Sequence, residues 1–198
     1  MKKILFILSM VCGLFVASCS CRHEVKKADF IDTLVADYEA TLAQYDSVKV
    51  DLREVQCLLN EAVNSENELK VVQAVQIYQA TPGNEEIPYV IFHEKNYESG
   101  LDTTTVVYGV WVGSGNFDPR ELEYNFDQAV ERLHEANIVL PEANFLTLRH
   151  PLTGGNFLNP LYIFGSVHTS LVAVDAMNGD VSLLVAEGLG ESLIERPE

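Results

Sequence analysis

The sequence predicts an α+β fold of two repeated units, each a helix packed on a three- to four-stranded antiparallel meander, preceded by an N-terminal helix. Three observations lead there. Apolar residues recur at helical spacing, with the same helix-start signature opening each unit. β-patterned sequence follows each of those two starts. Part of that sequence aligns with itself without gaps.

Taken in order, Ile31, Leu34, Tyr38, Leu42, Tyr45 and Val48 fall three and four apart, which predicts an amphipathic helix over roughly 28–46, in a segment bounded at 30–49. The spacing runs on through Leu52, Val55, Leu59 and Ala62, so residues 30–64 read as one long helix or two. Asp51 and Glu54 in capping-box positions, with Val50 and Val55 as a staple, favour a break near 46–50 and a helix opening the first unit, 50–115. Its strands are expected near 69–79, 88–93 and 104–112. In the second unit, 116–187, Asp118 reads as the N-cap, Pro119 as the first helical residue, Glu121 as the box partner, and Phe117 with Leu122 as the staple. That helix would bury Leu122, Phe126, Ala129, Val130 and Leu133 and end near Asn137, before strands near 144–150, 161–166, 171–175 and 181–185. Asn178-Gly179 is a tight-hairpin signal, and 188–198 reads as a tail.

The gapless alignment lays residues 81–92 over 153–164 at an offset of 72, with six of twelve positions identical: Thr, Gly, Asn, Pro, Ile and Phe. Units of about 65–70 residues have little core of their own, so they are expected to pack side by side or join sheets.

At the N-terminus Lys2 and Lys3 precede an apolar run from Ile4 to Ala17, too short to span a bilayer and placed as a signal peptide is. The run ends in Val16-Ala17-Ser18-Cys19, which resembles the lipobox of bacterial lipoproteins. The resemblance implies cleavage between Ser18 and Cys19, removal of residues 1–18, lipid on Cys19 and a tether over 19–29. Ser20 in place of Asp implies, by the same analogy, an outer-membrane anchor facing the periplasm.

The whole chain has 198 residues and a net charge of −16, from 13 Lys plus Arg against 29 Asp plus Glu. Without residues 1–18 the balance is 11 to 29, or −18, and beyond Lys27 it is 8 to 28. A body of that sign has no field for phosphate, so nucleic acid is not an expected partner. Arg22, Lys26 and Lys27 sit beside the anchor, where anionic headgroups favour them.

The end of the second unit carries another resemblance. Gln128-Ala129-Val130 on a capped helix, Tyr162-Ile163-Phe164, and Val172-Ala173-Val174-Asp175-Ala176-Met177-Asn178-Gly179-Asp180-Val181 resemble a PepSY-type domain over roughly 118–186, the last hairpin being the specific part. The first unit departs from it at Tyr108-Gly109-Val110-Trp111. The resemblance implies an extracytoplasmic, non-enzymatic module shaped like β-lactamase-inhibitor-like folds, for some of which protein binding or restraint is proposed.

Residue chemistry adds no reaction. His93-Glu94 and His134-Glu135 lack the second histidine of a zincin motif, with Tyr97 and Ile138 standing there. Gly113-Ser114-Gly115 lacks the first glycine of a nucleophile elbow, since Val112 occupies it. Asp175, Asn178 and Asp180 match a turn better than a calcium loop. Cys57 reads as a small hydrophobe. No catalytic residue, cofactor or metal is therefore expected. The remaining candidate is an aromatic binding patch of Tyr89, Tyr108, Trp111 and Tyr124. The expected function is a non-catalytic envelope lipoprotein that binds a protein or peptide, with inhibition as one form of that binding. The alternatives are an accessory subunit associating through the N-terminal helix and, last, an envelope hydrolase.

Overall fold

The computed structural model describes residues 29–83, 86–152, 158–166, 170–187 and 190–194, the last five and 185–187 by backbone alone. Helix α1 is Phe30–Gln44, followed by strands β1 Lys49–Leu59, β2 Val71–Thr81, β3 Tyr89–Asn96 and β4 Leu101–Tyr108. After a single 3-10 turn at Pro119–Glu121 come helix α2, Phe126–Glu135, and strands β5 Phe145–Arg149, β6 Leu161–Phe164, β7 Leu171–Asp175, β8 Val181–Glu187 and β9 Gly190–Ile194. Among the described residues the nine strands form one antiparallel sheet in the order β4-β3-β2-β1-β5-β6-β7-β8-β9.

This overturns the expected pair of repeated helix-on-meander units. The segment expected to be the first unit's helix is β1, at the centre of the sheet. Its buried apolar side chains are Val50 and Leu52, then Val55, Cys57 and Leu59. The register with β2 runs Leu52 to Tyr78 and then Glu54 to Ile77, so Arg53 is an extra residue in a β-bulge. A bulge shifts a period-two pattern by one place. That turns the step from Leu52 to Val55 into three, the spacing of a helix. The supposed cap residues have strand roles: Asp51 meets Lys49 at 2.8 Å, and Glu54 is buried near Arg149 and Gln56.

The duplication fails for a related reason. Residues 50–112 hold four strands and no helix, whereas 118–186 hold α2 and four strands. The aligned segments place β3, third strand of its run, on β6, second of its own. What they share in sequence is Gly and Asn and then a Pro before a strand, a composition common to many connections into strands, and residues 84–85 and 153–157 lie outside the described residues. The expected C-terminal tail contains β9, paired with β8 from Leu183–Ile194 to Glu187–Gly190.

Both helices lie on one face. Ile31, Leu34 and Tyr38 of α1 and Phe126, Ala129 and Leu133 of α2 join one core with Leu52, Val55, Ala74, Tyr78, Leu146, Leu148, Tyr162, Phe164, Val172 and Val174. The stripe of α1 is thus used against the sheet, with Tyr38 stacked on Tyr78 at 6.4 Å. The helix after Asp118 begins later than expected. Asp118 caps only the 3-10 turn, because the amides of Glu123 and Tyr124 bond to the Ala176 carbonyl at 3.1 and 3.0 Å and hold the chain extended. Asn125 then caps α2, with Gln128 reaching back.

One buried carboxylate joins the two lids. Asp29 accepts from the Ile31 amide at 2.8 Å as the N-cap of α1, and also from the amides of Phe126 and Asp127 at 3.4 and 3.3 Å at the start of α2. Two sets of orphan helix amides and both N-terminal dipoles converge on it. The Phe30 and Phe126 rings meet beside it at 6.2 Å.

The opposite face is crossed by the chain after β4. Gln79, 3% exposed, accepts from the Trp111 amide at 2.6 Å and donates to the carbonyls of Ala80 and Tyr89 at 3.0 Å. Ser114 donates to the Arg53 carbonyl at the bulge, 2.7 Å away, and the Phe117 amide to the Leu52 carbonyl at 3.1 Å. This strap gives partners to the Leu52 and Arg53 carbonyls, in the part of β1 that β5 does not pair. Farther along that face, Leu161, Ile163, Leu171, Ala173 and Leu184 form a second, smaller cluster.

Because Asp29 serves two helices, Asp29→Ala is expected to lower unfolding stability by about 2 kcal/mol, against about 1 kcal/mol for Asn125→Ala, which removes a single cap. Urea titration of both variants measures the difference, and equal losses would show that the second set of bonds contributes nothing.

Candidate functional site

The most unusual feature of the sheet is its β4 edge. All eight residues of β4 are exposed. Its pairing with β3 runs without interruption from Tyr89–Tyr108 to Asn96–Leu101. Open edges are ordinarily blunted by lysine, proline or a bulge. β4 has none of these. Residues 103–107 are Thr-Thr-Thr-Val-Val, and no charged residue occurs between 103 and 117 in a chain that is 21% charged. The one charge on the strand, Asp102, is turned to its own neighbours, with His93 Nε2 at 2.7 Å and Lys95 Nζ at 3.8 Å.

The unused hydrogen-bonding groups of this edge can be assigned. The Gly109 amide donates to the Pro88 carbonyl at 2.8 Å, so odd-numbered residues of β4 face β3. The amides and carbonyls of Asp102, Thr104, Val106 and Tyr108 therefore point outward. Around them Leu101, Val106, Val107, Tyr108, Val110 and Val112 leave apolar surface open.

Between α1 and this edge lies a cavity of about 200 Å³, lined by Asp37, Thr41, Gln44, Tyr45, His93, Asp102 and Thr104 among others. At Asp37 it meets a polar network. Asp37 pairs with Lys95 and accepts from Gln76 Nε2 at 2.8 Å, and the Tyr78 hydroxyl donates to Gln76. Burial pushes the Tyr78 phenol far above its ordinary range, so it stays a donor. The network ties α1 to β2, β3 and β4. His93–Asp102 has the geometry of an orienting pair, but no activated nucleophile faces it. The Cys57 thiol is pushed up by burial and stays protonated. Ser114 is committed to a backbone carbonyl. Among the described residues no cluster of His, Cys, Asp and Glu could hold a metal ion.

A larger groove, about 450 Å³, opens at the end of the sheet beside Tyr38, Asp51, Asp118, Glu121, His150 and Met177. Two of its carboxylates are already answered. Asp51 pairs with Lys49 and Arg53, and Asp118 grips the Arg120 guanidinium, which holds the Asp118 carboxyl below its ordinary value. His150 packs against the strap from here, its ring edge-on to Phe117 at 6.4 Å.

The four aromatic candidates do not form one patch. Tyr89 packs between Tyr45 and Tyr108 at 6.4 and 6.3 Å on the helix side of β3 and β4. Trp111 lies on the other face against Phe92. Tyr124 stands by Gly179, whose φ of +73° and lack of Cβ admit the ring. Only Tyr108, 75% exposed, belongs to the open edge. The strand itself carries no aromatic signal apart from Tyr108. Its signal in the sequence is the long uncharged, β-branched run. The Asp175 carboxylate accepts from the Met177 and Asn178 amides and Asn159, building the hairpin turn. Ser18, Cys19, His23 and His168 lie outside the described residues.

Two measurements check these assignments. Asp37→Ala should cost about 2–3 kcal/mol by removing the partner of a mostly buried ammonium, while Asp102→Ala, half exposed, should cost under about 1 kcal/mol. Burial holds His150 below its ordinary pKa. Between that lowered value and about 6.5 the unfolded chain binds a proton that the folded chain does not, so stability should fall as pH drops through this window. His150→Gln should flatten that segment of the profile, and an unchanged profile would remove His150 as its source.

No helix among the described residues is long and apolar enough to cross a membrane. Compared with protein-family models, with curated proteins and with solved structures, the chain matches none.

Proposed function

We propose that this protein is a non-catalytic, lipid-anchored component of the bacterial cell envelope, and that its body binds an uncharged extended segment of a protein by adding it as a strand to β4. The observation that carries the binding role is an edge strand with no blunting device and with outward main-chain groups at Asp102, Thr104, Val106 and Tyr108. Strand addition draws affinity from such groups and specificity from the alternate side chains beside them. The non-catalytic reading is supported by the roles of Ser114 and Cys57, both taken by the fold. The anchor rests on Val16 to Cys19, and the outer-membrane, periplasm-facing placement on Ser20. Association through α1 has less support, since its apolar stripe is buried against the sheet.

The edge has a direct test. Thr104→Pro removes an amide that points away from β3, so it breaks no existing bond yet blocks an added strand. Together with Val106→Lys, it should reduce what the body captures from envelope extract at least tenfold relative to the unaltered chain, while Tyr124→Ala captures normally. Equal capture by both edge variants would overturn the reading. For the anchor, Cys19→Ala should leave an uncleaved precursor that takes up no fatty-acid label, and normal labelling would refute it.

A further inference from the structure

We propose that the strand added to β4 is β4 of a second copy of this chain, joined antiparallel about a two-fold axis at Thr104; this rests on β4 being the binding edge. A two-fold axis perpendicular to a continuous sheet places like parities opposite one another, and the outward residues of β4 are all even-numbered, so they pair only among themselves. Centred on Thr104, Asp102 faces Val106 and Thr104 faces its own equivalent. On the face away from α1, Leu101 meets Val107 at both ends and Thr103 meets Thr105. The exposed apolar residues of that face, Leu101 and Val107, are thereby covered. Tyr108 reaches Gly100, beside which the space is open, so a ring can lie there.

Charge agrees with this register. Each strand carries one charge, and opposing Asp102 to Val106 leaves the two Asp102 residues four positions apart along the strands. That is roughly 13 Å, beyond the ~8 Å screening length at physiological salt. Each carboxylate also keeps its own His93 and Lys95. An acidic body would repel a copy of itself across most of its surface, and the uncharged run 103–117 is where that repulsion is least. A pair of eight-residue strands buries little area, so the dimer should dissociate on dilution.

The test uses the chain from residue 20 onward with Cys21→Ser, because every member of the core lies at Ile31 or later and Cys57 is buried. Sedimentation should show a concentration-dependent dimer that Thr104→Pro and Val106→Lys abolish. With a mild oxidant, Thr104→Cys should link to its own equivalent, and Thr105→Cys, which faces Thr103, should link at least tenfold less. Dimers that both edge variants retain, or equal linking at 104 and 105, would overturn the pairing. A monomer at every concentration would overturn it too. If that monomer still loses envelope capture with Thr104→Pro, strand addition stands with another partner. If its capture ignores the edge, both readings fall.

Discussion

The pairing of β1 with β5 is the contact on which the architecture depends. Five residues, Glu54 to Leu58 against Phe145 to Arg149, join two runs of strands that would otherwise be separate meanders. Because the first strand of each run sits at the middle, every later strand is laid farther out, and the last strand of the first run becomes an edge. The same junction explains the bulge. β1 must pair with β2 over its whole length but with β5 over only half, and at Arg53 it changes phase so that Val55, Cys57 and Leu59 keep the core while the strap closes the unpaired end. Asp29 does for the lids what this pairing does for the sheet: one carboxylate fixes both helix starts, so neither lid can be placed without the other.

What the sequence made legible follows from how local each signal is. The stripe of Ile31, Leu34 and Tyr38 is a helix, and Asn178-Gly179 is a hairpin, because spacing and turn chemistry act within a few residues. β1 has helical spacing in the sequence because its phase shift is meaningful only against β2, about 25 residues later in the chain. Asp118 has the local signature of a cap for α2, and nothing nearby reveals that Ala176 will claim the amides of Glu123 and Tyr124. Likewise Gln79, alone in a strand, gives no hint that it pins Trp111.

The candidate site was less legible than the fold. Aromatic residues close in sequence suggest one patch, yet strand alternation sends Tyr89 and Trp111 to opposite faces and Tyr124 stands by the far hairpin. The edge at β4 follows from strand order, which no local pattern encodes. Its local correlate is composition, fifteen consecutive residues without a charge. The network from Asp37 to Lys95 gives the edge a rigid backing, holding α1 over β3 and β4. An added strand would therefore meet a fixed surface, which limits the ordering cost of binding.

Residue-resolved amide hydrogen exchange reads whether the outward backbone groups of β4 are open to an added strand. In dilute solution the amides of Thr104, Val106 and Tyr108 should exchange rapidly while those of Thr103, Thr105 and Val107 are protected by β3, and the first set should slow as protein concentration rises. Uniform protection at every dilution would mean the edge is already covered. Uniformly fast exchange would mean β4 is not held as a strand. Either result would contradict the account.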